Sequence, residues 1–169
     1  FLKGPQISQA IDLDDSGQHT SRLDDEEYLK NVCGKSNQEI ANLWQLHDQY
    51  NTQNKRLRGI LLSNSFENHE KEYQKRLYPT TARFNHDCSP NCGYDFDDWN
   101  IRIYSLRKIK AGETMCISYS DVIYFFPRDV RRSYLLDALK FECACTRCNI
   151  ANDSDSVISD ENRRRLKKI

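Results

Sequence analysis

Three cysteines within six residues constrain this chain more than any other feature. Cys143-Ala144-Cys145-Thr146-Arg147-Cys148 is a C-x-C-x-x-C cluster. Adjacent turns of such a loop can point three sulfurs inward. Zinc takes about four thiolate or imidazole ligands at tetrahedral corners, so the fourth must come from elsewhere in the chain. Cys88 is the first choice, because it lies in a turn containing Pro90 and Asn91 rather than in an apolar strand. Cys92 is too near Cys88 to dismiss and is the reserve ligand. Cys116, between Met115 and Ile117, reads as a small packed hydrophobe, and so does Cys33 on a helical stretch. The competing reading, a set of free or redox-active thiols, is disfavoured by the density of the cluster. A zinc ion here would tie the end of the ordered chain to the segment near residue 88. Its binding energy would then contribute directly to folding.

The remaining composition narrows the class. Seven cysteines is an odd count for 169 residues, and their crowding argues for metal in a reducing compartment over a secreted disulfide framework. An intracellular protein, nuclear or cytoplasmic, is expected. Lys plus Arg number 25 and Asp plus Glu number 25, which argues against a charge-driven nucleic-acid binder. No apolar run reaches the roughly 18 residues of a membrane span, and no leader pattern is present. Hydrophobic residues make up 38% of the chain, so part of it is expected to be flexible.

Residues 12–27 are polar and acidic without a period and read as a mobile loop. Asp24 and Asp25 are placed to cap a short helix through Tyr28, Leu29 and Val32. Ser36-Asn37-Gln38-Glu39 fits a capping box. Ile40, Leu43, Trp44 and Tyr50 follow it at helical spacing, and Leu57, Ile60, Leu61 and Asn64 predict a second helix. Residues 24–66 are therefore expected to be mostly helical. Beyond Pro79 the pattern changes. Trp99, Ile101 and Ile103 alternate with polar neighbours as a half-buried strand, and Asp97-Asp98 could turn a hairpin from 93–96. Lys110–Glu113 reads as a turn and 115–119 as another strand. Asp129 is placed to cap a helix through Tyr134, Leu135 and Leu139. Residues 151–169, with Arg163-Arg164-Arg165 and Lys167-Lys168, read as a solvated polar tail or helix end.

Three further segments fall into a recognisable order. Arg83-Phe84-Asn85-His86-Asp87-Cys88-Ser89-Pro90-Asn91 resembles the signature R-x-x-N-H-S-C-x-P-N of SET-domain protein-lysine methyltransferases. Gly112-Glu113 followed by Ile117-Ser118-Tyr119 is similar to that family's G-E-E-L and S-Y elements. Phe141–Cys148 resembles its post-SET F-x-C-x-C-x-x-C. Ile60–Phe66 is similar, more weakly, to the N-[SA]-F segment of members related to SET-and-MYND proteins, the fungal-type ones above all. Departures are Asp87 for the usual Ser, Thr114 for the second Glu, and the lack of a G-x-G opening strand or a C-x-x-C module of the MYND kind. The chain also opens on Phe1. It is therefore expected to be an incomplete SET domain.

The resemblance implies an α+β fold, with a β-clip-like C-terminal SET half, a helical insert and a zinc-bound post-SET loop. The expected division is a helical insert region in 1–80, the SET half in 81–126, the post-SET helix and loop in 127–150, and the tail in 151–169. It implies methyl transfer from S-adenosylmethionine to a lysine of a protein substrate, histone or not, with chromatin a candidate partner. Membrane binding and direct nucleic-acid binding are not expected. Asn85 and His86 would line the cofactor site, Asn64 would meet the cofactor's amino-acid end, and Phe141 would stack near the adenine. Tyr119 would be the active-site tyrosine and part of the cofactor pocket, and Cys88 would join Cys143, Cys145 and Cys148 on zinc. The alternative is a non-catalytic SET-like zinc-binding interaction module.

Overall fold

The computed structural model describes residues 22–68, 74–98, 100–149 and 154–166. Helices and short two-stranded sheets mix along the chain, as expected of an α+β fold. None of the described helices is long and apolar enough to cross a membrane. The chain divides into two compact units, one of residues 1–83 and 95–102, the other of 84–94 and 103–169.

The first unit holds α1 (Arg22–Asn31), α2 (Asn37–Trp44) and α3 (Leu57–Asn64). Their apolar faces meet in a core of Leu29, Ile40, Leu43, Trp44, Leu46, Leu57, Ile60, Leu61 and Leu77, with Cys33 packed against it. The capping box at α2 forms as expected: the Ser36 hydroxyl accepts from the Glu39 amide, and the Glu39 carboxylate accepts from the Ser36 amide at 2.9 Å. Asp25 does not cap its own helix. It is buried, and its Oδ2 accepts the Leu57 amide at 3.1 Å and Arg56 Nε at 3.0 Å. It thus serves the start of α3, whose own N-cap, Arg56, supplies no side-chain bond. Residues 22–27, expected in the acidic loop, belong to α1, and 12–21 lie outside the described residues.

Tyr50 does not continue α2. Asp48 ends that path by turning the chain: its buried carboxylate accepts the amides of Tyr50, Asn51 and Arg56. The helical stretch also stops before 66. Asn64 Nδ2 bonds back to the Ile60 carbonyl, a side-chain competition that favours helix ends, and Ser65 turns extended. Ser65–Asn68 becomes β1, paired antiparallel with β2 (Gln74–Leu77).

The second unit carries β3 (Asn85–His86), the hairpin base of β4 (Cys92–Asp97) and β5 (Asn100–Ser105), and β6 (Cys116–Ile117). Trp99 lies outside the described residues. The strand expected over 115–119 shrinks to two paired residues, parallel to β3. Side chains take the neighbouring amides instead: Asn91 Oδ1 accepts from Cys116 N, and His86 Nδ1 accepts from Tyr119 N.

A 3-10 helix (Asp121–Phe125) leads into α4 (Arg128–Leu139), then α5 (Thr146–Asn149) and α6 (Ser154–Leu166). Asp129 is not the cap of α4, since Pro127 occupies that position and Asp129 lies in the first turn. Asp160 of α6 supplies the bond instead, accepting from Arg128 N at 3.0 Å. Arg131, only 2% exposed, donates to the carbonyls of Phe126 and Arg147 and pairs with Asp160 at 3.6 Å. The end of the chain is therefore a docked helix over 154–166, with Arg163 donating to the Tyr124 carbonyl at 2.6 Å while Arg164 and Arg165 stay exposed. Residues 150–153 and 167–169, with Lys167-Lys168, lie outside the described residues.

Candidate metal centre and adjoining aromatic cluster

Lys140 ends α4 in the left-handed region, at φ 58°, and its amide and that of Phe141 both turn back to the Leu135 carbonyl. This reversal drops the C-x-C-x-x-C loop onto Ile123 and Leu135, where Cys88 is waiting. The sulfurs of Cys88, Cys143, Cys145 and Cys148 all lie within 4.8 Å of one another, three of the residues buried and Cys145 half-buried. Cys88 Sγ is 3.5 Å from Cys148 Sγ and 3.9 Å from Cys143 Sγ. A tetrahedron with zinc–sulfur bonds of about 2.3 Å has sulfur–sulfur edges of roughly 3.8 Å. The four sulfurs therefore fit zinc, and the donor set is all thiolate.

Electrostatics point the same way. Hydrogen bonds from Cys143, Cys148 and Cys88 pull the Cys145 thiol down into the thiolate form, and bonds led by Cys143 bring Cys148 to about 7. Bonds with the neighbouring sulfurs push Cys88 and Cys143 up. The four sulfurs thus form one hydrogen-bonded cluster that shares its protons. Asp87 adds a carboxylate beside Cys145, its own affinity for protons raised by burial. A divalent cation neutralises such a cluster. Cys92, the reserve ligand, is buried outside the set, and burial pushes its thiol up. Cys116 is half-buried, likewise outside it.

Against the cysteines stands a cluster of three rings. His86 lies 5.3 Å from Tyr119 and 5.6 Å from Phe141 between centroids, and Tyr119 lies 5.9 Å from Phe141. The spacing is that of edge-to-face aromatic contact. Burial pushes His86 down to about 4, so its imidazole is neutral at neutral pH. The Tyr119 hydroxyl donates to the Phe84 carbonyl at 2.7 Å, and burial pushes its phenol up. Tyr119 is 41% exposed and Asn85 is exposed as well. Aromatic faces with an accessible amide beside them suit a cationic, adenine-bearing cofactor such as S-adenosylmethionine.

Of the nine residues singled out from the sequence, the structure brings seven together, the four cysteines with His86, Tyr119 and Phe141 around them, while Asn85 begins β3 next to His86. Asn64 belongs to the first unit, where its Nδ2 donates to the carbonyls of His47 and Ile60.

Asn91 is a residue of this region whose role the sequence reading passed over. It is buried, and its side-chain amide spans Glu113 Oε1, the Thr114 carbonyl and the Cys116 amide. It therefore holds β6 against the turn that carries Cys88. The signal was its place at the end of the signature, immediately before the first residue of β4.

Comparison with known proteins completes the picture. The family model described as "SET domain" matches residues 9–120. Histone-lysine N-methyltransferase SMYD3 of Mus musculus is 37% identical over 86 residues, 50% of this chain and 20% of that protein. SET domain and MYND-type zinc finger protein 6 of Schizosaccharomyces pombe is 38% identical over 79 residues, 47% of this chain and 16% of its own length. Protein-lysine N-trimethyltransferase SMYD5 of Gallus gallus is 38% identical over 88 residues, 50% of this chain and 21% of its own. The chain thus spans about a fifth of the length of these relatives.

Proposed function

The chain belongs to the SET-domain family, and from that premise we propose that it is the C-terminal part of an S-adenosylmethionine-dependent protein-lysine methyltransferase stabilised by one zinc ion. The observation that carries the reading is Tyr119, fixed beside His86 and Phe141 on the edge of the four-cysteine cluster. The names of the relatives support lysine of a protein as the substrate class. A histone, and chromatin as partner, is the finer form of the proposal.

When bound, the cofactor supplies a methyl group activated by a sulfonium. The residues of this chain prepare the nucleophile. A lysine ammonium, with an ordinary pKa of about 10.4, has no lone pair to attack with. Aromatic walls disfavour the charged form by withholding water. The Tyr119 hydroxyl spends its proton on the Phe84 carbonyl, which leaves its lone pairs to accept an N–H from the amine. Because its phenol is raised, Tyr119 orients the amine as a neutral hydrogen-bond acceptor and not as a base. Most of the rate then comes from alignment. Asn85 and Phe141 would hold the cofactor, and Cys88, Cys143, Cys145 and Cys148 would keep the post-SET loop closed over them.

One observation favours the non-catalytic alternative, a SET-like zinc-binding interaction module. Asn64 commits both amide donations to carbonyls of the chain itself. Calorimetric titration of the full-length protein with S-adenosylmethionine separates the two readings: absence of binding favours the module. The methyltransferase reading further expects Tyr119→Phe to bind cofactor nearly normally while transferring methyl more slowly, since a group acting in the transition state changes rate more than binding. Asn85→Ala should weaken binding by about 1–3 kcal/mol. Equal loss of binding and rate in the tyrosine variant would assign Tyr119 a structural role.

A further inference from the structure

His86 makes a bond on each side of its ring. Nδ1 accepts the backbone N–H of Tyr119 at 3.2 Å. An amide N–H can only donate, so Nδ1 carries no proton and the ring's hydrogen sits on Nε2. Nε2 lies 3.3 Å from Cys88 Sγ. The imidazole therefore points its one N–H at a sulfur of the metal cluster while its other nitrogen holds the tyrosine backbone.

Strand pairing does not do this work for Tyr119. The β3–β6 ladder ends at His86 against Ile117, with one further bond from Asp87 N to the Ile117 carbonyl. Tyr119 lies beyond it, and its place is set by the His86 ring and by its hydroxyl on Phe84.

We propose that His86 is a positioning residue that couples the metal cluster to Tyr119, donating its Nε2–H to the metal-bound Cys88 thiolate and thereby fixing the ring that holds the Tyr119 backbone. The inference rests on the zinc and tyrosine roles proposed above. A thiolate is a much stronger acceptor than a thiol, so metal binding at Cys88 tightens the N–H···S bond and with it the orientation of the ring. Such outer partners commonly orient metal ligands. Here the same contact also runs outward, from the ligand to the residue that faces substrate. Linkage makes the effect reciprocal: what orders Tyr119 also helps to retain the metal.

Three substitutions in the full-length protein, loaded with cobalt(II) as a spectroscopic stand-in for zinc, take the two bonds apart. His86→Asn keeps an acceptor near the Nδ1 position and loses the donor to sulfur. His86→Gln keeps a donor near the Nε2 position and loses the acceptor for Tyr119. His86→Phe keeps the ring contacts and loses both. A hydrogen bond lowers the energy of the sulfur lone pairs. The sulfur-to-cobalt charge-transfer band should therefore move to longer wavelength in the Asn and Phe variants and stay near the wild-type position in Gln. Amide hydrogen exchange at Tyr119 should rise at least about fivefold in the Gln and Phe variants and stay near wild type in Asn. Chelating the metal should speed that exchange similarly in the wild type, and should add little in Phe.

A band that does not move in the Asn variant, together with unchanged exchange at Tyr119 in the Gln variant, overturns the coupling while leaving the zinc reading intact. Failure of the wild-type protein to take up cobalt overturns both. Should the Phe variant not fold, the Asn and Gln pair decides the matter.

Discussion

Glu113 shows how much one half-buried side chain can hold. Its Oε1 accepts from Arg107 and from Asn91 Nδ2, and its Oε2 accepts from the Lys110 amide at 3.0 Å. The Arg107 bond is the leading reason that its carboxyl falls to about 2 from the usual 4.5. A depressed carboxylate stabilises the fold above its unfolded pKa, and that stabilisation is lost as pH falls through the folded value. Glu113 should therefore give the protein an acid-sensitive limb between about pH 4.5 and 2. Denaturant titrations across that window should show the limb flattened in Glu113→Gln, with the variant less stable than the wild type at neutral pH and the difference shrinking as pH falls toward about 2. An unchanged limb would mean that the Arg107 contact is not maintained in solution. The same carboxylate braces Asn91, and through Asn91 the amide of Cys116, so the G-E pair serves the site at one remove.

At the scale of the element, two helices begin on carboxylates from far along the chain: Asp25 at the start of α3 and Asp160 at the start of α4. Two backbone positions are equally telling. Gly59 lies inside α3, where glycine costs about 1 kcal/mol against alanine. A Cβ there would run into the buried Asp48 carboxylate, which is already committed to three amides. Gly59→Ala should thus lower stability by about 1–3 kcal/mol, read from the urea midpoint, despite its better helix propensity. Lys140 is the opposite case. It holds a left-handed conformation at the end of α4 with its side chain exposed, at the bend that aims the cysteine loop. Lys140→Gly should raise stability by about 0.5–1 kcal/mol and leave metal content unchanged. A destabilised glycine variant would indicate that the lysine side chain itself anchors the bend.

For the whole molecule, the division into two units makes the effect of the metal local. The first unit has its own core of leucines around Trp44, whereas the core of the second is built partly from Cys88, Cys143 and Cys148. Purified protein should carry about one equivalent of zinc, sharply less in Cys145→Ser. Chelation should raise hydrogen exchange across 84–94 and 103–166 while 22–64 keeps most of its protection. Uniform loss of protection would show that the two units unfold as one. Metal-free protein with native exchange throughout would remove the zinc proposal.

Local physics was legible in the sequence by itself. The Ser36–Glu39 capping box, the helical spacing from Ile40 and Leu57, the turn at Gly112 and the C-x-C-x-x-C loop depend on neighbours within a few residues, and they were read from order and spacing alone. The choice of Cys88 over Cys92 also came from its turn, and Cys88 is the one whose sulfur meets the loop. What sequence reading missed has one cause. Asp25, Asp160, Asn91 and the Nδ1 of His86 satisfy backbone amides that their own segments leave open, across 32, 32, 25 and 33 residues respectively. A buried amide must find an acceptor, but several side chains of the right chemistry lie within any chain. Which of them arrives is decided only when packing brings distant segments together, and so the caps, the shortened strand at Cys116 and the seat of Tyr119 belonged to the tertiary structure.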